Sequence, residues 1–125
     1  MKIPGIEIIS PNYPNPYPRN LDCAVTLNFD QRVSIRFESF EIQRGNDNGS
    51  CIYDWLEVYD GDSSDSPMLG SKLCGYDIPR PVSSTRYSLT LVFHSDDTTS
   101  TYKQGFKIIT DRGKENGLNV RSNRY

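Results

Sequence analysis

The sequence is poor in the residues and motifs that mark zinc proteins and common hydrolases. It has one histidine and three cysteines among 125 residues, with no Cys-x-x-Cys pair, so a Cys/His zinc site cannot be completed from it. The GxSxG and HExxH motifs and a glycine-rich phosphate-binding loop are also missing. These absences argue against an enzyme, and we predict no catalytic residues.

The sequence also lacks an excess of positive charge and a long apolar run. Lys and Arg number 14 against 16 Asp and Glu, a net charge of -2, which gives no electrostatic reason to expect nucleic acid as a partner. No run of about 18 apolar residues exists, so no membrane span is predicted in this chain. The N-terminal residues 1–4 are not followed by an apolar signal region. The protein is therefore either cytosolic or a chain that starts after its secretion signal.

The three cysteines are Cys23, Cys51 and Cys74, and they allow two interpretations. A cytosolic protein would bury all three as thiols, whereas a secreted protein would form one disulfide and leave one thiol over. Asn48 begins the tripeptide Asn-Gly-Ser, an N-glycosylation sequon that lies just before Cys51. The sequon favours the secreted interpretation.

Alternation of apolar and polar residues with a period of two recurs along the chain, and it predicts strands with one face toward the core. The predicted inward residues are Cys23, Val25, Leu27 and Phe29; Val33, Ile35 and Phe37; Ile52, Leu56 and Val58; Tyr87, Leu89, Leu91 and Phe93; and Phe106 and Ile108. Turn clusters separate these segments, and no window of a dozen residues keeps a helical period. We predict an all-β fold of seven or more antiparallel strands, either a sandwich or a barrel.

The last part of the chain differs in composition from the rest. Residues 111–125 are polar, and Leu118 and Val120 are their only aliphatic residues. Such a segment buries too little apolar surface to offset its ordering entropy. We therefore predict one domain over residues 1–110, followed by a polar linker or disordered tail over residues 111–125.

The segment SPNYPNPYP, residues 10–18, contains four prolines and two tyrosines. Each proline fixes φ, lacks a backbone donor and pushes the preceding residue toward extended geometry. The segment can therefore be neither a helix nor a central strand. It is predicted to be a stiff extended arm that carries Tyr13 and Tyr17.

A few polar residues could carry chemistry. His94 stands beside Ser95 and Asp96, but a catalytic triad is assembled from separate segments, so His94 is expected to be an ordinary surface residue. Asp54 shares the parity of the inward residues of its strand, where a carboxylate is costly unless it is paired or bound to a cation. Asp96 and Asp97 follow the end of a strand. Carboxylates gathered at one end of a sandwich suit Ca²⁺, although aspartate is also an ordinary turn residue.

The order of these segments resembles the CUB domain, an extracellular β-sandwich module. The motifs run SPNYPNPYP, a strand beginning at Cys23, FESFEI, CIYDWLEVYDG, LCG, and LVFHSDD followed by GF. The proline-rich arm together with C-x-YD-x-LEVYDG makes the likeness specific, and it covers about residues 5–110. The resemblance implies an antiparallel β-sandwich of jelly-roll type, a secreted or extracellular location and no catalytic activity.

The resemblance also implies a disulfide pattern. CUB domains usually have two disulfides between cysteines that are sequential in the chain. The second pair corresponds to Cys51 and Cys74. The first pair would join Cys23 to a cysteine nearer the N-terminus, which this chain lacks. We therefore predict a Cys51–Cys74 disulfide with Cys23 left out of it.

In calcium-binding CUB domains, the second tyrosine of the arm and three carboxylates form the metal site. Carried over to this sequence, the tyrosine is Tyr17, and the aspartates of the YD and SD motifs are Asp54 and Asp96. The glutamate position falls on Gln43, which leaves two full negative charges instead of three. Because Ca²⁺ affinity follows ligand charge, the implied site is weakened.

Other oxygen donors are expected around this site. Loop carbonyls near Thr98 and Thr99, with water, would complete a calcium shell of six to eight oxygens. Glu41 lies on the same strand face as Gln43 but about 7 Å away, and Asp47 in the next loop is another possible donor.

The resemblance implies two alternative functions. The first is a module of a larger extracellular protein that joins other proteins, with a calcium-ordered acidic surface binding a Lys or Arg of the partner. The second is a calcium-independent, stand-alone CUB protein that acts as a matrix component or carbohydrate binder, like the spermadhesins. The outward row Tyr53, Trp55 and Tyr59 is a second candidate partner surface, unless these rings pack against their neighbours.

Overall fold

The computed structural model describes residues 6–29, 31–97, 103–111 and 119–124, and none of these residues is helical. Eight strands are present among them. They are β1 (Glu7–Ile9), β2 (Asp22–Asn28), β3 (Ser34–Glu41), β4 (Trp55–Tyr59), β5 (Val82–Ser83), β6 (Ser88–His94), β7 (Gly105–Asp111) and β8 (Asn119–Arg124).

The strands form two four-stranded sheets with antiparallel pairing throughout. One sheet has the order β1-β7-β3-β5 and the other β4-β6-β2-β8. The two sheets pack their apolar faces against each other. This confirms the antiparallel β-sandwich that the resemblance implied, and it decides between the sandwich and the barrel that the alternation left open.

The core lies between the two sheets and is built from the residues that the period-two pattern predicted. Leu27, Ile35, Leu56, Leu89 and Ile108 are fully enclosed, each with 0% exposure. Burial of a side chain of this size contributes roughly 1.5–3 kcal/mol. Burial of these alternating apolar side chains is thus the main favourable contribution to the free energy of folding.

Two residues predicted to face the core are exposed instead. Ile52 is 49% exposed and Tyr87 is 58% exposed. Both precede their strands, since β4 begins at Trp55 and β6 begins at Ser88. The pleat that alternates side chains exists only within a strand, so outside the strand ends the period-two pattern no longer fixes which way a side chain faces.

The proline-rich arm runs across one end of the sandwich and is fixed to β7 and the residues before it. The Ser10 N–H donates to the Phe106 carbonyl (3.1 Å), and the Phe106 N–H donates to the Ser10 hydroxyl (3.0 Å). The Tyr17 N–H donates to the Lys103 carbonyl (3.2 Å). Gly105 has a φ of +87°, and a Cβ there would overlap the Ser10 hydroxyl, so only glycine fits this approach.

The predicted disulfide between Cys51 and Cys74 is present, with a Cα–Cα distance of 5.8 Å. It fixes the segment 72–76, which touches both sheets: Leu73 exchanges backbone hydrogen bonds with Leu56 (3.0 and 2.9 Å), and Gly75 does so with Ile42 (3.0 and 2.8 Å). Closing a loop with a sequence separation of 23 stabilises the fold by about 3 kcal/mol in the chain-entropy model. Cys23 is buried in the core and lies outside this disulfide.

The strand β8 falls in the segment that the sequence analysis interpreted as a linker or tail. Asn119–Arg124 pairs with β2 from Ala24 to Asn28, with an irregular register between Ala24 and Val25. For these residues the expectation of an unpaired tail is corrected. A polar segment can occupy a sheet edge because the ladder uses backbone groups rather than apolar side chains. The end of the domain at residue 110 stays a prediction.

Deleting residues 114–125 tests that boundary. The melting temperature, measured by calorimetry, should stay nearly unchanged. The reason is that the cost of ordering β8, about 1–2 kcal/mol per residue, nearly cancels the gain from its backbone pairing, about 0.5–1.5 kcal/mol per hydrogen bond. Arg121→Pro in the full chain, which removes one backbone donor from β8, is the matched control and should behave alike. A fall of several degrees in either protein would show that β8 belongs to the stable domain.

Candidate functional site

A buried aspartate lies at the end of the sandwich where the arm closes it. Asp54, just before β4, is 1% exposed. Its Oδ2 accepts a hydrogen bond from the Tyr17 hydroxyl (2.5 Å), and its Oδ1 accepts one from the Asp96 N–H (2.9 Å). Three segments far apart in the sequence therefore meet on one carboxylate. We call the group Tyr17, Gln43, Asp54 and Asp96 the Asp54 corner.

Tyr17 joins the arm to both the core and the corner. Its side chain is buried, and its ring meets Phe93 edge to face at 5.1 Å between centroids. Its hydroxyl donates to Asp54 and accepts from the Gln43 N–H (3.1 Å). Pro16 and Pro18 flank Tyr17 and restrict the backbone on both sides of it. The stiffness of the arm thus serves to position one phenol.

The electrostatics of the corner follow from its burial. Desolvation raises the pKa of the Asp54 carboxyl, while the hydrogen bonds from Tyr17 and the Asp96 backbone oppose that rise. Desolvation also raises the pKa of the Tyr17 phenol, and its hydrogen bond to Asp54 adds to the effect. Tyr17 therefore remains protonated and acts as a donor. The corner offers a carboxylate with little solvent around it, which favours contact with a cation.

Gln43 brings a further oxygen that the fold does not use. Among the described residues, its Oε1 is a buried side-chain atom without a hydrogen-bond partner, a state that ordinarily costs about 1–3 kcal/mol. The residues of the corner thus carry carboxylate and amide oxygens beside the Tyr17 hydroxyl, and carboxylate and amide oxygens are ligands that Ca²⁺ takes. However, the described residues contain no group of three or more His, Cys, Asp or Glu placed to hold a metal. The chemistry of the donors fits Ca²⁺, and their low charge predicts weak binding.

The other predicted donors lie elsewhere. Glu41 accepts a hydrogen bond from the Gln104 N–H (3.0 Å) through its Oε1, so that carboxylate already serves the backbone before β7. Asp47 is exposed and lines a cleft in the loop after Gln43. Thr98 and Thr99 lie outside the described residues.

The outward row of aromatic residues is only partly available to a partner. Tyr53, Trp55 and Tyr59 are all half-buried. The His94 ring stacks on Trp55 at 4.3 Å, and the Lys72 Nζ lies 3.8 Å from the Trp55 centroid. Trp55 is thus covered by its own neighbours. The use of this row as a partner surface stays a prediction.

His94 lies on the outer face of its sheet, away from the serine beside it. Its Nδ1 is 2.8 Å from Asp22 Oδ1. The buried Ser95 hydroxyl points the other way, donating to the Pro18 carbonyl (2.8 Å) and accepting from the Leu21 N–H (2.9 Å). The Ser95 hydroxyl is therefore engaged with backbone groups of Pro18 and Leu21, while the His94 ring contacts Asp22, so the two side chains are not arranged as a nucleophile and its base.

One buried carboxylate escaped the sequence analysis. Asp60, in the YDG motif, accepts hydrogen bonds from the Thr85 N–H (3.0 Å) and the Thr85 hydroxyl (2.5 Å). Desolvation would raise the pKa of Asp60, but the hydrogen bonds from Thr85 outweigh it and the pKa is lowered. Asp60 fixes the loop before β6 to the end of β4. The only sequence signal for Asp60 is the aspartate-glycine pair, which predicts a turn but does not identify Thr85 as a hydrogen-bond partner.

Comparison with known proteins places this geometry among related domains. A sequence model of the CUB domain matches residues 3–109. Tolloid-like protein 1 of Homo sapiens is 44% identical over 102 residues, which are 80% of this chain and 10% of that protein. Bone morphogenetic protein 1 of Xenopus laevis is 42% identical over 104 residues, which are 82% of this chain and 14% of that protein. The chain therefore spans about a tenth of the length of these relatives.

A solved structure gives the same result for the fold. The chain is similar to the crystal structure of the MASP-1 CUB2 domain bound to Ca²⁺, with a TM-score of 0.74 and 29% sequence identity. The similarity covers 90% of this chain and 96% of that one. The two chains thus share their architecture over nearly their whole length.

Tyr17→Phe tests the central hydrogen bond of the corner. It removes the donor to Asp54 and should lower the free energy of unfolding by about 1–3 kcal/mol, measured by urea denaturation at pH 7. The loss should shrink at acidic pH, because a protonated Asp54 no longer needs the donor and the folded state already favours protonation there. Tyr13→Phe on the same arm is the control. Equal effects of the two changes, or a loss that does not depend on pH, would contradict this assignment.

Proposed function

The chain belongs to the CUB domain family, and from this we propose that it is the non-catalytic module through which a larger extracellular protein binds other proteins. Members of this family are extracellular protein-interaction modules and are generally non-catalytic. The domain is extracellular, and none of the described residues forms a helix that could cross a membrane. The role that this domain would have within a longer protein is part of the proposal.

The Asp54 corner is the proposed binding surface. The observation that carries the proposal is the buried Asp54 carboxylate, held by Tyr17 and by the Asp96 backbone. Asp96, whose backbone N–H bonds to this carboxylate, is half-buried, and Asp97 next to it in the sequence is exposed. A Lys or Arg of a partner would make a charge-assisted contact with the half-buried Asp96, and the charge of the nearby Asp54 would add to the attraction. Because the frame is already formed, the contact would need little ordering.

Ca²⁺ is the proposed cofactor of this surface. Asp54 and Asp96 would hold it, with the Gln43 amide oxygen as a neutral donor and Tyr17 orienting Asp54. When bound, Ca²⁺ supplies positive charge that offsets the two carboxylates and orders the segments that carry them. The MASP-1 domain with the same fold is crystallised with Ca²⁺, which supports the proposal. The unpartnered buried Oε1 of Gln43 supports it as well.

A second candidate function has its own supporting observation. Both oxygens of Asp54 already accept hydrogen bonds from within the chain, so the corner is held together without a metal. Together with a neutral Gln43, this favours the calcium-independent reading, in which the domain acts as a matrix component or carbohydrate binder. The calcium measurement below separates the two.

Gln43→Glu decides whether calcium belongs to this corner. The change adds a third carboxylate, so the calcium affinity measured by calorimetry should rise at least tenfold over that of the parent chain. The melting temperature with calcium should rise as well. Gln31→Glu, which adds the same charge before the other end of β3, is the control and should leave the affinity unchanged. Asp96→Ala should abolish whatever binding the parent chain has.

The results that contradict the calcium proposal are specific. If Gln43→Glu binds no better than Gln31→Glu, then Gln43 is not a ligand position. If neither the parent chain nor Gln43→Glu binds calcium, then Asp54 and Asp96 are structural aspartates and the calcium-independent function stands.

The recognition of a basic side chain has a separate test. Nα-acetyl-lysine methylamide, titrated at millimolar concentrations in calcium buffer, should shift the amide NMR signals of Asp54 and Asp96. Nα-acetyl-norleucine methylamide has a similar chain without the ammonium group and should not shift them. Equal shifts with both probes, or none with either, would refute the proposed surface.

A further inference from the structure

A polar cleft of about 380 Å³ lies beside the disulfide. One wall is the loop after Gln43, with Arg44, Asn46 and Asp47, and the other is formed by Tyr76 and Asp77. The Cys51–Cys74 disulfide and the backbone pairing of Ile42 with Gly75 fix the two walls to each other. The cleft is within the size range of small-ligand sites.

The glycosylation sequon lies on the rim of this cleft. Asn46, Asp47 and Gly49 line it, and Asn48 is exposed between them. The Asn46 Oδ1 accepts hydrogen bonds from the N–H groups of Asn48 (3.1 Å) and Ser50 (3.0 Å), so Asn46 holds the turn. The exposed Asn48 side chain is left out of these bonds. A glycan attached at Asn48 would therefore begin next to the cleft, on a turn that is held by Asn46.

The cleft has the groups that bind a sugar. The Lys103 Nζ lies 4.4 Å from the centroid of the Tyr76 ring, yet Tyr76 is 46% exposed, so much of its side chain is open to a ligand. The apolar face of a pyranose ring and the methyl group of an acetamide both pack on aromatic rings. Arg44 provides donors, while Asp47 and Asp77 provide acceptors, and sugar hydroxyls can use both. Because the two walls are joined by the disulfide and by the Ile42–Gly75 backbone pair, and because the sugar would be tethered nearby, it would lose little further freedom on binding.

We propose that Asn48 carries an N-linked glycan and that the first sugars of this glycan lie in the cleft against Tyr76. In the transfer, the Asn48 Nδ2 forms a bond to the anomeric carbon of the first N-acetylglucosamine and loses one proton. The bond from that carbon to the pyrophosphate oxygen of a lipid-linked oligosaccharide donor breaks, and the lipid pyrophosphate leaves with the bonding electron pair, while the proton from Asn48 passes to the solvent. No oxidation or reduction is involved. An extracellular protein meets such a donor during its secretion.

The proposal does not rest on calcium or on the Asp54 corner. It uses the loop that follows Gln43 and a different set of charges. Its consequence concerns the loop 44–51, which the disulfide anchors at Cys51. The glycan would cover this loop and keep partner proteins from binding there.

The modification is tested by secreting the full chain from eukaryotic cells and measuring its intact mass. The parent chain should carry one glycan that peptide-N-glycosidase removes, leaving aspartate at position 48. Ser50→Ala, which destroys the sequon but keeps Asn48, should lack that mass. A parent chain that is secreted without a glycan at Asn48 would overturn the proposal.

The seating in the cleft is tested on the glycosylated chain. Nuclear Overhauser effects should connect the Tyr76 ring protons to the acetyl methyl group of the first or second sugar. Tyr76→Ala should speed cleavage between those two sugars by an endoglycosidase severalfold under native conditions. Tyr87→Ala, which removes another exposed tyrosine, should leave that rate unchanged. A glycan without Overhauser contacts to Tyr76, or one cleaved equally fast in both variants, would overturn the seating.

Discussion

The structure depends on satisfying one carboxylate at the closed end of the sandwich. An aspartate at this depth destabilises the fold unless donors reach both of its oxygens, and the two donors come from the arm before β2 and the segment after β6. These segments are 37 and 42 residues away from Asp54 in the sequence. The requirement of a single buried charge therefore fixes the path of the chain at this end. It also explains why a phenol, whose ring packs in the core while its hydroxyl reaches Asp54, is the suitable residue on the arm.

The fold was largely predictable because its main determinant is local. In β2, β3 and β6 the period-two pattern selects the buried face, and the predicted residues from Cys23 to Phe93 are enclosed wherever they lie inside a strand. Ile52 and Tyr87 fail because the pattern contains no information on where a strand begins. β8 was missed for another reason. Its pairing with β2 uses backbone groups, and these are the same for every sequence without proline.

The candidate site was predictable only in part. The parity of Asp54 marked it as an inward carboxylate, but its meeting with Tyr17 and Asp96 involves segments that no short pattern connects, and the family resemblance supplied those partners. The hydrogen bonds between Asp60 and Thr85 were missed, because neither the alternation nor the family motifs connect these two residues. The outward aromatic row shows the limit in the other direction. Alternation correctly placed Trp55 outside the core, yet it could not show that Lys72 and His94 would cover the ring.

The stack on Trp55 gives the protein a built-in optical probe. The chain has one tryptophan and one histidine, and the two rings are in contact on the outer face of the second sheet. Indole emission depends on what contacts the ring. The intrinsic fluorescence of the folded protein therefore reports the strand pairing between β4 and β6 that holds Trp55 opposite His94.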